Sequence, residues 1–147
     1  MRLKPMKYPY STSLVWTEEH KGTLSCEGKP DLPVACPPEW GGHPNIWSPE
    51  DLFIGSIEVC AMTTLLFLTD RDGILLNSYS SKAEGIAGMK KGVFGFEPIR
   101  VKLRIGVTRE KDVTRVEKLV QEVGEWCLVS KSLKPEVIIE SEIFMED

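Results

Sequence analysis

Two cysteines in this chain are spaced so that they could act as a redox pair. Cys60 lies well inside a long apolar run, SPEDLFIGSIEVCAMTTLLFL, and Cys127 lies near the end of a second run, VTRVEKLVQEVGEWCLVS. A thiol deep in each of two helices is what a dithiol redox enzyme needs. The pair can close a disulfide if the helices cross with Cα atoms about 4.4–6.8 Å apart. The same placement describes two ordinary core cysteines, because free cysteine is among the most buried residue types. Apolar burial raises a thiol pKa and makes it inert, so a reactive Cys60 needs a cation or a strong hydrogen-bond donor beside it.

Glu50 precedes Cys60 by ten residues, about 15 Å along a helix. It therefore does not touch the Cys60 sulfur within one straight helix. Its ordinary role is favourable charge at a helix N-terminus; its chemical role would be to orient a cation beside Cys60, from another chain or through a long intervening side chain. His20 and Lys21 lie in a turn between early strands and read as solvated unless a site recruits them. Trp40 and Trp47 flank a Pro/Gly loop, PPEWGGHPNIW, which is either a rigid connector or the rim of a pocket. Cys26 and Cys36 sit on or beside short strands and read as packing residues. Glu58, which interrupts the apolar run, is paired or solvated.

The chain of 147 residues has the length of one ordinary domain, and 41% hydrophobic with 27% charged residues is the balance of a soluble globular protein. A net charge of −4 spread along the chain argues against nucleic acid, which selects clustered Lys and Arg. The beginning, MRLKPMKYPYSTS, shows no apolar signal segment. The stretch after Cys60, broken by Thr63, Thr64 and Thr69, reads as too short and too polar to span a membrane. The cytoplasm is the expected compartment, where cysteines are reduced, catalytic or redox-sensing more often than structural disulfides. There is no CxxC pair and no HxxxH or HExxH, and His20 and His43 stand apart. No metal site is expected.

The elements that would position these residues follow from local pattern. SLVWT, TLSCEG and LPVAC read as short strands of a meander, with EEHKG as the first turn. Ser48 as N-cap, Pro49 at N1 and the acidic Glu50 and Asp51 start a helix, with Ser48 and Asp51 approximating a capping box. From Leu52 to about Leu68 the run is apolar almost all round, which predicts a central buried helix. Gly73 is a plausible C′ residue. ILLNSYSSKAEGIAG reads as one strand. In MKKGVFGFEPIRVKLRIGV, residues Ile99, Val101, Leu103 and Ile105 share one face of another, with a hairpin or bulge at the intervening glycines. Val113, Val116, Val120, Val123 and Cys127 line one face of a second helix that Asp112 can cap, and VIIESEIFM closes the chain as a strand. The pattern is α+β. A helix as apolar as 52–68 needs cover on every side, which predicts packing against its twin in a homodimer.

SPEDLFIGSIEVC, with Glu50 ten before Cys60, resembles the central-helix signature of the OsmC/Ohr family of hydroperoxide reductases (osmotically inducible protein C and organic hydroperoxide resistance protein). The landmarks DRDGI, GFEPIRVKLRIGV and EWCLVSKSL follow in order, and PPEWGGHPNIWSPEDL is similar to the family's loop into that helix. The resemblance spans nearly the whole chain. It implies an intertwined homodimer of OsmC-like subunits with two interface sites, reducing organic hydroperoxides or hydrogen peroxide in oxidative stress defence without metal or flavin. It implies that Cys60 is the peroxidatic thiolate, Cys127 the resolving thiol, and Glu50 the carboxylate holding an activating cation, with an external thiol as reductant. The family's arginine stands in the early turn in a GGR-G context. EEHKG instead puts His20 at that position with Lys21 beside it. Either of these, or another arginine such as Arg71, activates Cys60, or the peroxidase activity is weak. The competing function is a non-enzymatic protein of the same fold that binds a small apolar ligand in an interface pocket rimmed by Trp40 and Trp47; a structural dimer with core cysteines is the third.

Overall fold

A computed structural model of the protein describes residues 6–147. The chain divides into two compact units, the first ending at Leu52 and the second running Phe53–Asp147. The first holds a three-stranded antiparallel sheet in the order β1-β2-β3, with β1 at Ser13–Glu18, β2 at Lys21–Ser25 and β3 at Leu32–Ala35. This is the expected meander. Its first turn is tighter than EEHKG suggests: Glu19 and His20 form it, with Glu19 at φ 47°, and Lys21 already begins β2. The Pro/Gly loop follows. A single 3-10 turn at Pro38–Trp40 ends at Gly41, whose φ of 81° suits glycine. The next glycine, Gly42, lies so close to the Cys36 carbonyl that a Cβ would collide with it.

Helix α1 spans Pro49–Arg71. Its start is the capping box foreseen from sequence: the Asp51 amide donates to Ser48 Oγ at 3.1 Å, and the Ser48 amide donates to Asp51 Oδ2 at 3.0 Å. Its end is also as expected, with Gly73 at φ 68°. Within a single chain α1 has two unlike sides, and one expectation for it is corrected. The helix buries a stripe, Ile57, Ala61, Leu65, Leu68 and Thr69, and not its whole circumference. Val59 and Phe67 are 58% and 61% exposed on the other side. The helix of 23 residues is also long and apolar enough to cross a membrane, because the threonines after Cys60 do not interrupt it. Its buried stripe belongs to the core cluster of the second unit, the use of a core helix.

The remaining strands are more numerous than the sequence pattern predicts. ILLNSYSSKAEGIAG is split: β4 covers Ser78–Glu84, and Ala87–Lys90 is a separate strand, β5, hairpin-paired with β6 at Val93–Phe96. Gly92, at φ 76°, turns that hairpin. β7, at Ile99–Val107, is the centre of the second sheet, antiparallel to β4 and parallel to β8 at Val137–Met145. Ile99, Val101, Leu103 and Ile105 are buried as their alternation predicts. Parallel pairing needs a crossover, which helix α2 at Glu110–Trp126 and the short α3 at Leu128–Lys131 supply. Val116, Val120 and Val123 are buried on the predicted face of α2, while Val113 is partly buried. Asp112 is not the cap of α2; that position belongs to Arg109. Asp112 is instead buried in the first turn, ion-paired to Arg109 at 2.8 Å and Arg115 at 3.2 Å.

Candidate functional site

The second unit brings Cys60 and Cys127 together. Cys60 projects from the middle of α1 and is partly buried, while Cys127 lies at the junction of α2 and α3 and is fully buried. The junction is made by the chain itself. The Cys127 amide still donates to Val123 at 2.8 Å, closing α2, and its carbonyl accepts from Lys131 across α3. The Cys127 side chain is thereby fixed at a bend rather than on a helix face, a position that helical periodicity alone does not reveal. Both cysteines are reduced.

The two thiols stand close enough to act on each other's ionisation, and their surroundings act on them in opposite directions. Burial pushes the Cys60 thiol up, and the bond to Cys127 adds to this; the Val129 backbone and Thr64 pull it back only in part. Burial also pushes Cys127 up, but hydrogen bonds from Cys60, from the Ser130 side chain and from the Ser130 and Val129 backbone outweigh it and leave Cys127 below the ordinary thiol value. Ser130 Oγ donates to Cys127 Sγ at 3.2 Å, whereas the Cys60 and Thr64 side chains are 3.9 Å apart. Ser130, Val129 and Thr64 were not singled out from sequence. A serine three places after a cysteine at a helix junction is the signal that was available for Ser130.

Beside Cys60 on α1, Glu58 points to the sheet and accepts a hydrogen bond from Ser81 of β4. It is thus paired. Tyr79, on the same strand, is pushed up to about 12 by burial and by the Glu58 charge. Its hydroxyl has no hydrogen bond of good geometry among the described residues. Arg71 closes α1 and is committed to Asp72 at 2.8 Å and Glu122 at 3.6 Å, which accounts for its charge away from Cys60.

In the first unit, His20 occupies the β1–β2 turn with its side chain exposed, and Lys21 pairs with Glu18 at 3.8 Å. Glu50 is in the first turn of α1, with one buried carboxylate oxygen lacking a hydrogen-bond partner among the described residues. It lines a recess of about 360 Å³ with His43, Pro38 and Asp51. His43 Nε2 lies 3.2 Å from the Glu19 carboxylate, without hydrogen-bond geometry. Trp47 lines an adjoining recess of about 380 Å³ with Asn45, Ile46 and Asp51, and Trp40 ends the 3-10 turn with 55% of its surface exposed. Among the described residues no group of three metal-ligating side chains converges.

Comparison with known proteins places this geometry. Residues 42–142 match the family described as OsmC-like protein. The chain is 25% identical over 113 residues to the uncharacterized protein YmaD of Bacillus subtilis, covering 74% of this chain and 75% of that one. An OsmC-like protein of unknown function from Vibrio cholerae superposes with a TM-score of 0.83 at 19% identity, covering 94% of this chain and all of the other. An organic hydroperoxide resistance protein OsmC from Legionella pneumophila superposes with a TM-score of 0.68 at 23% identity, covering 93% and 98%. At these identities the two structures establish likeness of fold.

Proposed function

Because this chain belongs to the OsmC-like protein family, we propose that it is a thiol-dependent hydroperoxide reductase in which Cys60 and Cys127 form the redox pair. The observation that carries the reading is that two thiols from distant parts of the sequence come close enough to act on each other's ionisation, with no disulfide between them. In the first step the Cys60 thiolate attacks the O–O bond of a hydroperoxide. Its sulfur is oxidised to a sulfenic acid, and the departing alkoxide takes a proton to leave as the alcohol, or as water from hydrogen peroxide. The Cys127 thiolate then attacks the sulfenic sulfur, forming the disulfide and releasing hydroxide, which is protonated to water. Two equivalents of an external thiol restore both cysteines by exchange.

The first step requires ionised Cys60, which its own unit disfavours. We assign the compensating charge to His20, held by Glu50, at an interface between two copies of the chain. Lys21 is the lesser candidate because it already pairs with Glu18. The exposed side of α1, with Val59, Leu66 and Phe67, and the exposed Leu14 and Trp16 of β1 are apolar surface for a second copy to cover. Trp40 and Trp47 would rim the apolar approach for an alkyl hydroperoxide. The proposed setting is cytoplasmic, where thiol reductants are available.

The test is to treat reduced protein with cumene hydroperoxide or hydrogen peroxide and follow thiols by intact and peptide mass. The expected product is an intramolecular Cys60–Cys127 disulfide, and Cys127→Ser accumulates oxidised Cys60. Thiols unchanged under excess peroxide would sink the reading and favour a binding protein of the same fold.

A further inference from the structure

Ser130 and Ser132 stand two positions apart and use their hydroxyls differently. Ser132 Oγ donates to the Leu128 carbonyl at 2.8 Å, the back-bond common to serines in helical turns. Ser130 Oγ is turned instead to the Cys127 sulfur at 3.2 Å. A neutral thiol is a weak acceptor, while a thiolate is a strong one. The same hydroxyl therefore stabilises the ionised sulfur more than the protonated one. It also restrains the direction of a side chain that is fully buried beside Cys60.

We propose that Ser130 is a positioning residue for the second half of the reaction: its hydroxyl holds the Cys127 sulfur ready as a thiolate and sets the rate at which oxidised Cys60 is captured as the disulfide. This rests on the hydroperoxide-reductase reading above. In the captured step the Cys127 sulfur supplies the electron pair for the S–S bond, the Cys60 S–O bond breaks, and the oxygen leaves as hydroxide to be protonated by solvent. The Ser130 proton is not consumed; it stays on Oγ throughout. The lowered pKa of Cys127, to which the Ser130 side chain and backbone both contribute, agrees with this role.

Rapid-quench mass spectrometry with cumene hydroperoxide reads the two steps separately: loss of the Cys60 thiol, with dimedone trapping the sulfenic acid, and appearance of the disulfide. Ser130→Ala is expected to leave the first step within about twofold. It should slow the second at neutral pH, by less than the drop in thiolate, because a more basic sulfur is also the better nucleophile. The inflection of the second step should move up by about one pH unit. On the alkaline plateau the variant should be as fast as the parent or faster. Ser130→Thr, which keeps a hydroxyl, should restore the neutral-pH rate. An unchanged inflection, or equal slowing of the step at every pH, overturns the proposal. Should Ser130→Ala lose its fold, the thiolate absorbance of Cys127 in Cys60→Ser, compared with Cys60→Ser/Ser130→Thr and Cys60→Ser/Ser130→Asn, must still rank with donor strength; indifference to the side chain overturns it as well. Absence of Cys60 oxidation in the parent protein would instead remove the underlying reading, an outcome visible in the first step alone.

Discussion

Cys60 and Cys127 stand close enough to act on each other, and their surroundings favour the thiolate on Cys127 rather than on Cys60, the thiol that the proposed first step needs ionised. Cys60 is held up and Cys127 is pulled down. Removing Cys127 should therefore release Cys60. In Cys127→Ala, the thiolate absorbance of Cys60 should appear at lower pH than in the parent. In Cys60→Ala, that of Cys127 should appear at higher pH, since it loses its largest stabilising bond. Ultraviolet titration of the single-cysteine variants, with Cys26 and Cys36 replaced by serine, reads both shifts. Inflections that move the other way would contradict the opposite shifts described above.

The exposed side of α1 predicts self-association. The protein should scatter light as a dimer at micromolar concentration. Phe67→Glu, which places a charge on a residue 61% exposed in the single chain, should yield a folded monomer with most peroxidase activity lost, because the proposed site draws residues from two copies. A monomeric parent protein with full activity would refute the shared site.

Asp112 ties the start of α2 together and makes stability depend on pH. Burial works to raise its pKa, but Arg109 and then Arg115 outweigh burial and hold it below the ordinary value of 3.8. The folded form thus binds a proton less readily than the unfolded form. The contribution is complete above the unfolded value and disappears as pH falls through the depressed one. Denaturation midpoints should therefore decline below about pH 4 in the parent protein and decline less steeply in Asp112→Asn, which should also be less stable than the parent at neutral pH.

The N-terminus of α1 can be weakened without touching either thiol. Ser48→Ala removes the acceptor for the Asp51 amide, while the backbone amide at position 48 still donates to the Asp51 carboxylate. Urea denaturation should show a loss of about 1 kcal/mol. Leu65→Ala, at a fully buried position of the same helix, should cost about 2–5 kcal/mol.

Sequence pattern was sufficient wherever the cause is local. The Ser48 cap, the stop at Gly73, the one-sided strand from Ile99 to Ile105 and the valine face of α2 depend on neighbours within a turn or two, and each formed where its residues indicated. Glu50 and Cys60 stand out by their spacing within α1, and Cys127 by its order along the chain, because these resemble a family pattern. What depends on partners distant in sequence was not legible. The splitting of Ile74–Gly88 into a loop, β4 and β5 follows from pairing with β7 and β6, and alternation alone shows no such partner. The burial of α1 on one stripe depends on what packs against it. The placement of Asp112 depends on two arginines rather than on its own propensity. Above all, the sequence determined that two thiols exist on two apolar segments. Only the folded chain decided that the two come close enough to act on each other and that Ser130 reaches the second, because hydrogen bonds and desolvation depend on distances of a few ångströms between groups that the sequence leaves far apart.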